Sequence, residues 1–187
     1  MRMRAKTTVA ATLLLAGSLP AGAAQFNSAY TEINLDECTI LSSGEFGASW
    51  VCSGYKGVPV YIAEGDLRYF VSFGLGADKE IAAGQTPPPF NYLGETVEWR
   101  LSNASGGWKP VAAITRYFVQ GAEGEPEGQV LAVTQIAPGA TCQIAYVDAR
   151  ANPDANELAR EVADNKAGSA DCAEEPEIVG VFEAWER

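Results

Sequence analysis

Between Ala48 and Gly76 the chain reads ASWVCSGYKGVPVYIAEGDLRYFVSFGLG, with apolar side chains recurring at every second position. A period of two marks an extended strand with one covered face, which a helix has no means to bury. Val58, Val60 and Ile62 alternate with Pro59, Tyr61 and Ala63. Leu67, Tyr69, Val71 and Phe73 then form a second apolar face, with Arg68 and Ser72 opposite. Glu64-Gly65-Asp66 separates the two runs with turn chemistry, since glycine accepts positive φ and aspartate bonds its own backbone. Ser53-Gly54-Tyr55-Lys56-Gly57 makes an earlier turn, so the stretch predicts three consecutive strands in an antiparallel meander.

The N-terminus has the pattern of an export signal. Arg2, Arg4 and Lys6 precede an apolar run from Thr7 to Leu19, and Gly22-Ala23-Ala24 supplies the small residues of a cleavage site. The run is too short for a span, which needs about 20 apolar residues. Residues 1–24 are therefore expected to be removed, leaving 25–187 as a single β-rich domain in the periplasm or outside the cell. Loss of three basic residues takes the net charge from −11 to −14. Such a chain repels nucleic acid and anionic lipid and attracts cationic partners.

Four cysteines, all beyond residue 24, fit an oxidising compartment and two disulfides. Of the three connectivities, Cys38–Cys52 with Cys142–Cys172 is preferred because each closes a local unit. Cys38 and Cys52 are symmetric about Gly44-Glu45-Phe46-Gly47, so they face one another across a hairpin. Loops of these lengths stabilise a fold by roughly 3 kcal/mol each in the chain-entropy model.

Along the rest of the chain, Phe26 to Tyr30 reads as a loose arm or an edge strand. Thr86-Pro87-Pro88-Pro89-Phe90-Asn91-Tyr92 has no ladder donors at its prolines and reads as a loop with polyproline character. Pro87, Pro88, Pro89, Phe90 and Tyr92 form either a recognition rim or a cover over one end of the fold. Thr96 to Leu101 alternates, with Val97, Trp99 and Leu101 inward and Glu98 and Arg100 outward. Val111 to Gln120 is a strand, Gly121 to Gly128 an acidic loop, and Gln129 to Ala137 with Thr141 to Val147 a hairpin. Pro153 to Lys166 is the one helix, with Asn152 as N-cap and Ala155, Leu158, Ala159, Val162 and Ala163 on one small apolar face. Ile178 to Trp185 reads as a last strand.

Histidine is absent, which excludes Ser-His-Asp and Cys-His nucleophiles and the commonest metal ligand. No phosphate loop or dinucleotide fingerprint is present, and no metal or cofactor is expected. Glu64, Asp66, Glu95 and Glu98 are the acids available to a carboxylate-dependent glycan hydrolase, which needs two about 5 to 9 Å apart. Arg68, Arg100 and Arg116, each on a strand, are candidate ligand-binding residues: converging, they clamp a carboxylate or phosphate; otherwise they pair with neighbouring acids.

The segments GASWVCSGYKGVPVYIAEGDLRYFVSFG, PPPFNYLGETVEWRLSN, EGQVLAVTQ and TCQIAYVDARANPDANELARE resemble a family of uncharacterised exported proteobacterial proteins. That resemblance implies a periplasmic location and assigns no site. A looser likeness is to small periplasmic β-barrels that inhibit lysozyme, although their S-G-x-x-Y segment is missing here. The expected fold is mainly β (α+β), an antiparallel sandwich or barrel with one amphipathic helix near the C-terminus. The expected function is a non-enzymatic binding or interaction module of the cell envelope, taking a cationic protein or an envelope component; the alternative is the glycan hydrolase.

Overall fold

A computed structural model describes residues 24–88, 90–120 and 126–185. Nearly all of the expected export signal, Pro89 of the proline segment and the first part of the acidic loop lie outside them. Among the described residues ten strands follow in order: β1 (Phe26–Glu32), β2 (Thr39–Gly44), β3 (Gly47–Ser53), β4 (Pro59–Gly65), β5 (Arg68–Phe73), β6 (Asn91–Ser102), β7 (Lys109–Gln120), β8 (Pro126–Gln135), β9 (Cys142–Asp148) and β10 (Glu177–Val179). Helix α1 (Ala155–Lys166) lies between the last two.

The meander forms a four-stranded sheet in the order β2-β3-β4-β5, antiparallel throughout. The other strands make a six-stranded sheet, β1-β6-β7-β8-β9-β10, antiparallel except for the β9–β10 pair. Neither sheet closes on itself, so the mainly β expectation resolves to a sandwich rather than a barrel. The alternation in β6 explains the layering. Val97, Trp99 and Leu101 point to the small sheet and join Val60, Ile62, Val71 and Phe73 in one core. Trp99 is fully buried, its ring edge-on to Phe73 at 5.3 Å and its indole N–H donating to Thr31 at 2.8 Å. A Cβ at Gly54 would stand 2.3 Å from the Trp99 ring, so only glycine lets that turn close over the indole.

The opposite face of the large sheet carries α1. Ala155, Ala159, Val162 and Ala163 pack on Ile114, Leu131, Val133 and Val147, small residues that bring the helix close to the strands. Glu98 and Arg100, outward by alternation, are therefore covered by the helix and not by solvent. The helix starts at Ala155 with Asp154 in the cap position. Asn152 does not cap it: its buried amide donates to the Val181 carbonyl at 2.6 Å and accepts from the Val181 N–H at 3.0 Å. Of the strand expected over Ile178 to Trp185 only Ile178 and Val179 pair, as the end of Glu177–Val179. Phe182 and Trp185 instead cluster with Tyr146. Phe26 to Tyr30 is part of an edge strand, antiparallel to β6.

Cys38 is bonded to Cys52 and Cys142 to Cys172, the two local pairs. Among the described residues no helix is long and apolar enough to cross a membrane.

Candidate functional site

The three strand arginines do not meet in one clamp. Arg68 belongs to the small sheet and reaches back to Asp66 at 2.6 Å. Arg100 and Arg116 share the helix-side face of the large sheet but have different partners. Arg100 is 8% exposed and forks onto Asp164 of α1, at 2.9 Å through Nε and 2.6 Å through Nη2. Two residues earlier Glu98 accepts from Arg160 of α1 at 2.6 and 3.2 Å, and Ser28 bonds both Glu98 and Arg100 at 2.5 Å. Those hydrogen bonds to Glu98 raise the Arg160 pKa and keep the guanidinium charged. Arg100 is thus a rivet between strand and helix, because a buried guanidinium is tolerated only when its donors are matched. Arg116 makes one hydrogen bond, to Gln129 at 2.9 Å, and no ion pair among the described residues.

The four candidate acids divide in the same way. Glu98 is saturated by Arg160, and Asp66 is tied to Arg68. Glu95 stands in an irregularity of β6, on the sheet that carries Glu98, whereas Glu64 lies with Asp66 on the small sheet side, so the four acids divide between the two sheets.

The proline segment works as a strap along β5. Thr86 donates to the Tyr69 carbonyl at 2.7 Å, Asn91 accepts from the Tyr69 N–H at 3.1 Å, and the Asn91 N–H donates to the Leu67 carbonyl at 3.0 Å. Side chains flanking the prolines supply the edge bonding that proline nitrogens lack. Pro87 is buried and Pro88 exposed; Phe90 is largely exposed, while Tyr92 stacks on Phe118 at 4.9 Å. The segment thus buries Pro87 and leaves Pro88, Phe90 and Tyr92 exposed.

Sequence reasoning placed the first small-sheet turn at Gly44-Glu45-Phe46-Gly47 but missed what the hairpin tips present to solvent. The β2–β3 and β4–β5 hairpins close through two residues each, Glu45-Phe46 and Asp66-Leu67. The second turn lies one residue beyond the expected break, so Leu67 is lifted out of the strand face into the tip. Each tip pairs an acid with a large hydrophobe, and β3 pairing with β4 sets the tips side by side. Phe46 is 86% exposed and Leu67 61%. A recess of about 420 Å³ separates them, lined by Glu45, Glu64 and Asp66 and by no basic residue. Asp66 and Leu67 both have positive φ, 53° and 60°. That backbone ordinarily selects Asn-Gly, and leucine there costs about 1 kcal/mol. The sequence signal was present in the acid-hydrophobe order of Gly-Glu-Phe-Gly and Gly-Asp-Leu-Arg, where a turn would favour glycine or asparagine second.

No family model, curated protein or solved structure matches this chain.

Proposed function

We propose that this chain is an exported, non-enzymatic interaction module of the cell envelope that docks a basic protein through the paired tips of its small sheet. The observation that carries the reading is the juxtaposition of Phe46 and Leu67 on adjacent tips with the Glu45 and Glu64 carboxylates between them, Asp66 being held by Arg68. Exposed apolar side chains with a polar rim are the anatomy of an interface. The recess has the size and charge for a lysine or arginine of the partner, its alkyl stem between the two hydrophobes and its cation at the acids. A net charge of −11 steers a basic partner toward the surface. Two disulfides support an oxidising location, which together with the N-terminal pattern favours the periplasm. The hydrolase reading has weaker support, because two of its four acids already neutralise arginines.

The test is retention of basic proteins from periplasmic extract by residues 25–187, with lysozymes added as defined basic probes, at low and at high salt. Retention that falls with salt and is lost in the Phe46→Ser/Leu67→Gly double variant supports the reading. Glycine suits the φ of 60° at position 67, so that variant keeps the turn. Recovery of nothing basic at low salt, or equal recovery by the double variant, overturns it.

A further inference from the structure

A cavity of about 540 Å³ lies on the helix side of the large sheet, separate from the hairpin tips. Its origin is a fault in strand pairing. Between Leu93 and Val97, β6 carries extra residues against Tyr117 to Thr115 of β7, so Gly94, Glu95 and Thr96 bulge away opposite Arg116. A bulge of this kind re-aims side chains and opens a gap in a sheet face. A Cβ at Gly94 would come within 3.1 Å of the Arg116 carbonyl and 3.3 Å of its Cβ, so glycine lets the bulged strand lie against the arginine. Ile114 and Leu131 give the cavity an apolar lining, and the stacked Tyr92–Phe118 pair gives it an aromatic one. Helix α1 ends short of it, leaving Asn156 of its first turn at the margin.

Arg116 is the cation of this cavity wall and has no ion pair among the described residues; Glu95, on the same wall, has none either. Glu98, on the same wall, is neutralised by Arg160. The Arg116 guanidinium spends Nη1 on Gln129, which leaves the Nε–Nη2 edge, the edge that takes a carboxylate in two parallel bonds. Burial lowers its pKa, the direction expected where no anion compensates the lost water. The unpaired Glu95 on the wall opposes a dianion such as phosphate more strongly than a singly charged group, so the latter fits better.

From this juxtaposition we propose that the cavity is a binding site for a small aromatic monocarboxylate, its ring against Tyr92 and Phe118 and its carboxylate forked on Arg116. A volume of about 540 Å³ suits one or two rings.

The experiment titrates residues 25–187 with phenylacetate and indole-3-acetate, with their primary amides, and with inorganic phosphate, followed by isothermal titration and by amide chemical shifts. The carboxylates are expected to bind with shifts on β6 and β7 near the bulge, and the amides about tenfold more weakly, the worth of one charge-assisted pair. Arg116→Gln should abolish that discrimination while its thermal unfolding stays cooperative. Should the variant fail to fold, the carboxylate–amide comparison on the unaltered chain decides alone. Equal binding of acid and amide, tighter binding of phosphate, or no carboxylate response in the millimolar range overturns the proposal. None of these outcomes depends on the hairpin tips.

Discussion

The two faces of the six-stranded sheet are covered by different means. Toward the small sheet the contact is dry: Trp99, Tyr117, Val119 and Val130 meet Ile62, Val71 and Phe73. Toward the helix only the part over β7 to β9 is apolar, and along β1 and β6 the contact is ionic, with Glu98 and Arg100 answered by Arg160 and Asp164. The same strand serves both, since successive residues of β6 point to opposite sides. A dry face tolerates no loss of volume, and an ionic face tolerates no loss of a partner. The difference separates two kinds of fragility in one sheet.

The sharpest way to break the comparison is Trp99→Ala, which empties the centre of the dry face. It is expected to cost about 4 kcal/mol, read from the midpoint of urea unfolding. Asp164→Ala removes the bidentate partner of Arg100, which is 8% exposed and keeps only Ser28 and a 4.0 Å approach to Glu98, and should cost about 3 kcal/mol. The double change Arg100→Met/Asp164→Leu should recover most of that loss, because removing both charges leaves nothing unmatched. A double variant as unstable as the single one would show that the pair acts through shape rather than charge.

The smallest expected effect is alkaline. Tyr117 and Tyr146, both on the dry face, have hydroxyl pKa values pushed up by burial, with the Glu175 charge adding to the shift at Tyr146. Their folded pKa values exceed the unfolded one, so their stabilisation is full below about pH 10 and is lost as pH rises beyond it. At pH 11 each should contribute a loss of about 1.4 kcal/mol relative to pH 9. Tyr117→Phe should remove roughly half of that dependence, and an unchanged pH profile would refute the assignment.

Much of the dry half was legible in the sequence because it is local. Alternation located β4 and β5, the Gly-Glu-Phe-Gly turn placed Cys38 opposite Cys52, and Val97, Trp99 and Leu101 face inward as their spacing requires. The ionic half was not legible. Glu98 read as solvated and Arg100 as a ligand clamp or a partner of neighbouring acids, because their partners on α1 lie 62 and 64 residues away and no periodicity states how a helix is set over a sheet. Asn152 was misread for a related reason: its position before Pro153 fits a cap, yet the distant Val181 backbone claims its amide. The hairpin tips were obscured by a shift of one residue at Leu67, enough in a two-residue period to move a side chain from core to surface.

The strap over β5 has a consequence for crowding. A sheet margin is dangerous when its amides and carbonyls are vacant, since another molecule arriving edge-on reads them as a template. Along β5 the claims of Thr86 and Asn91 on Tyr69 and Leu67 come first, and the prolines beside them offer a newcomer no amide to grip. Copies of this chain packed tightly together therefore lack one docking rail from which stacked fibres grow.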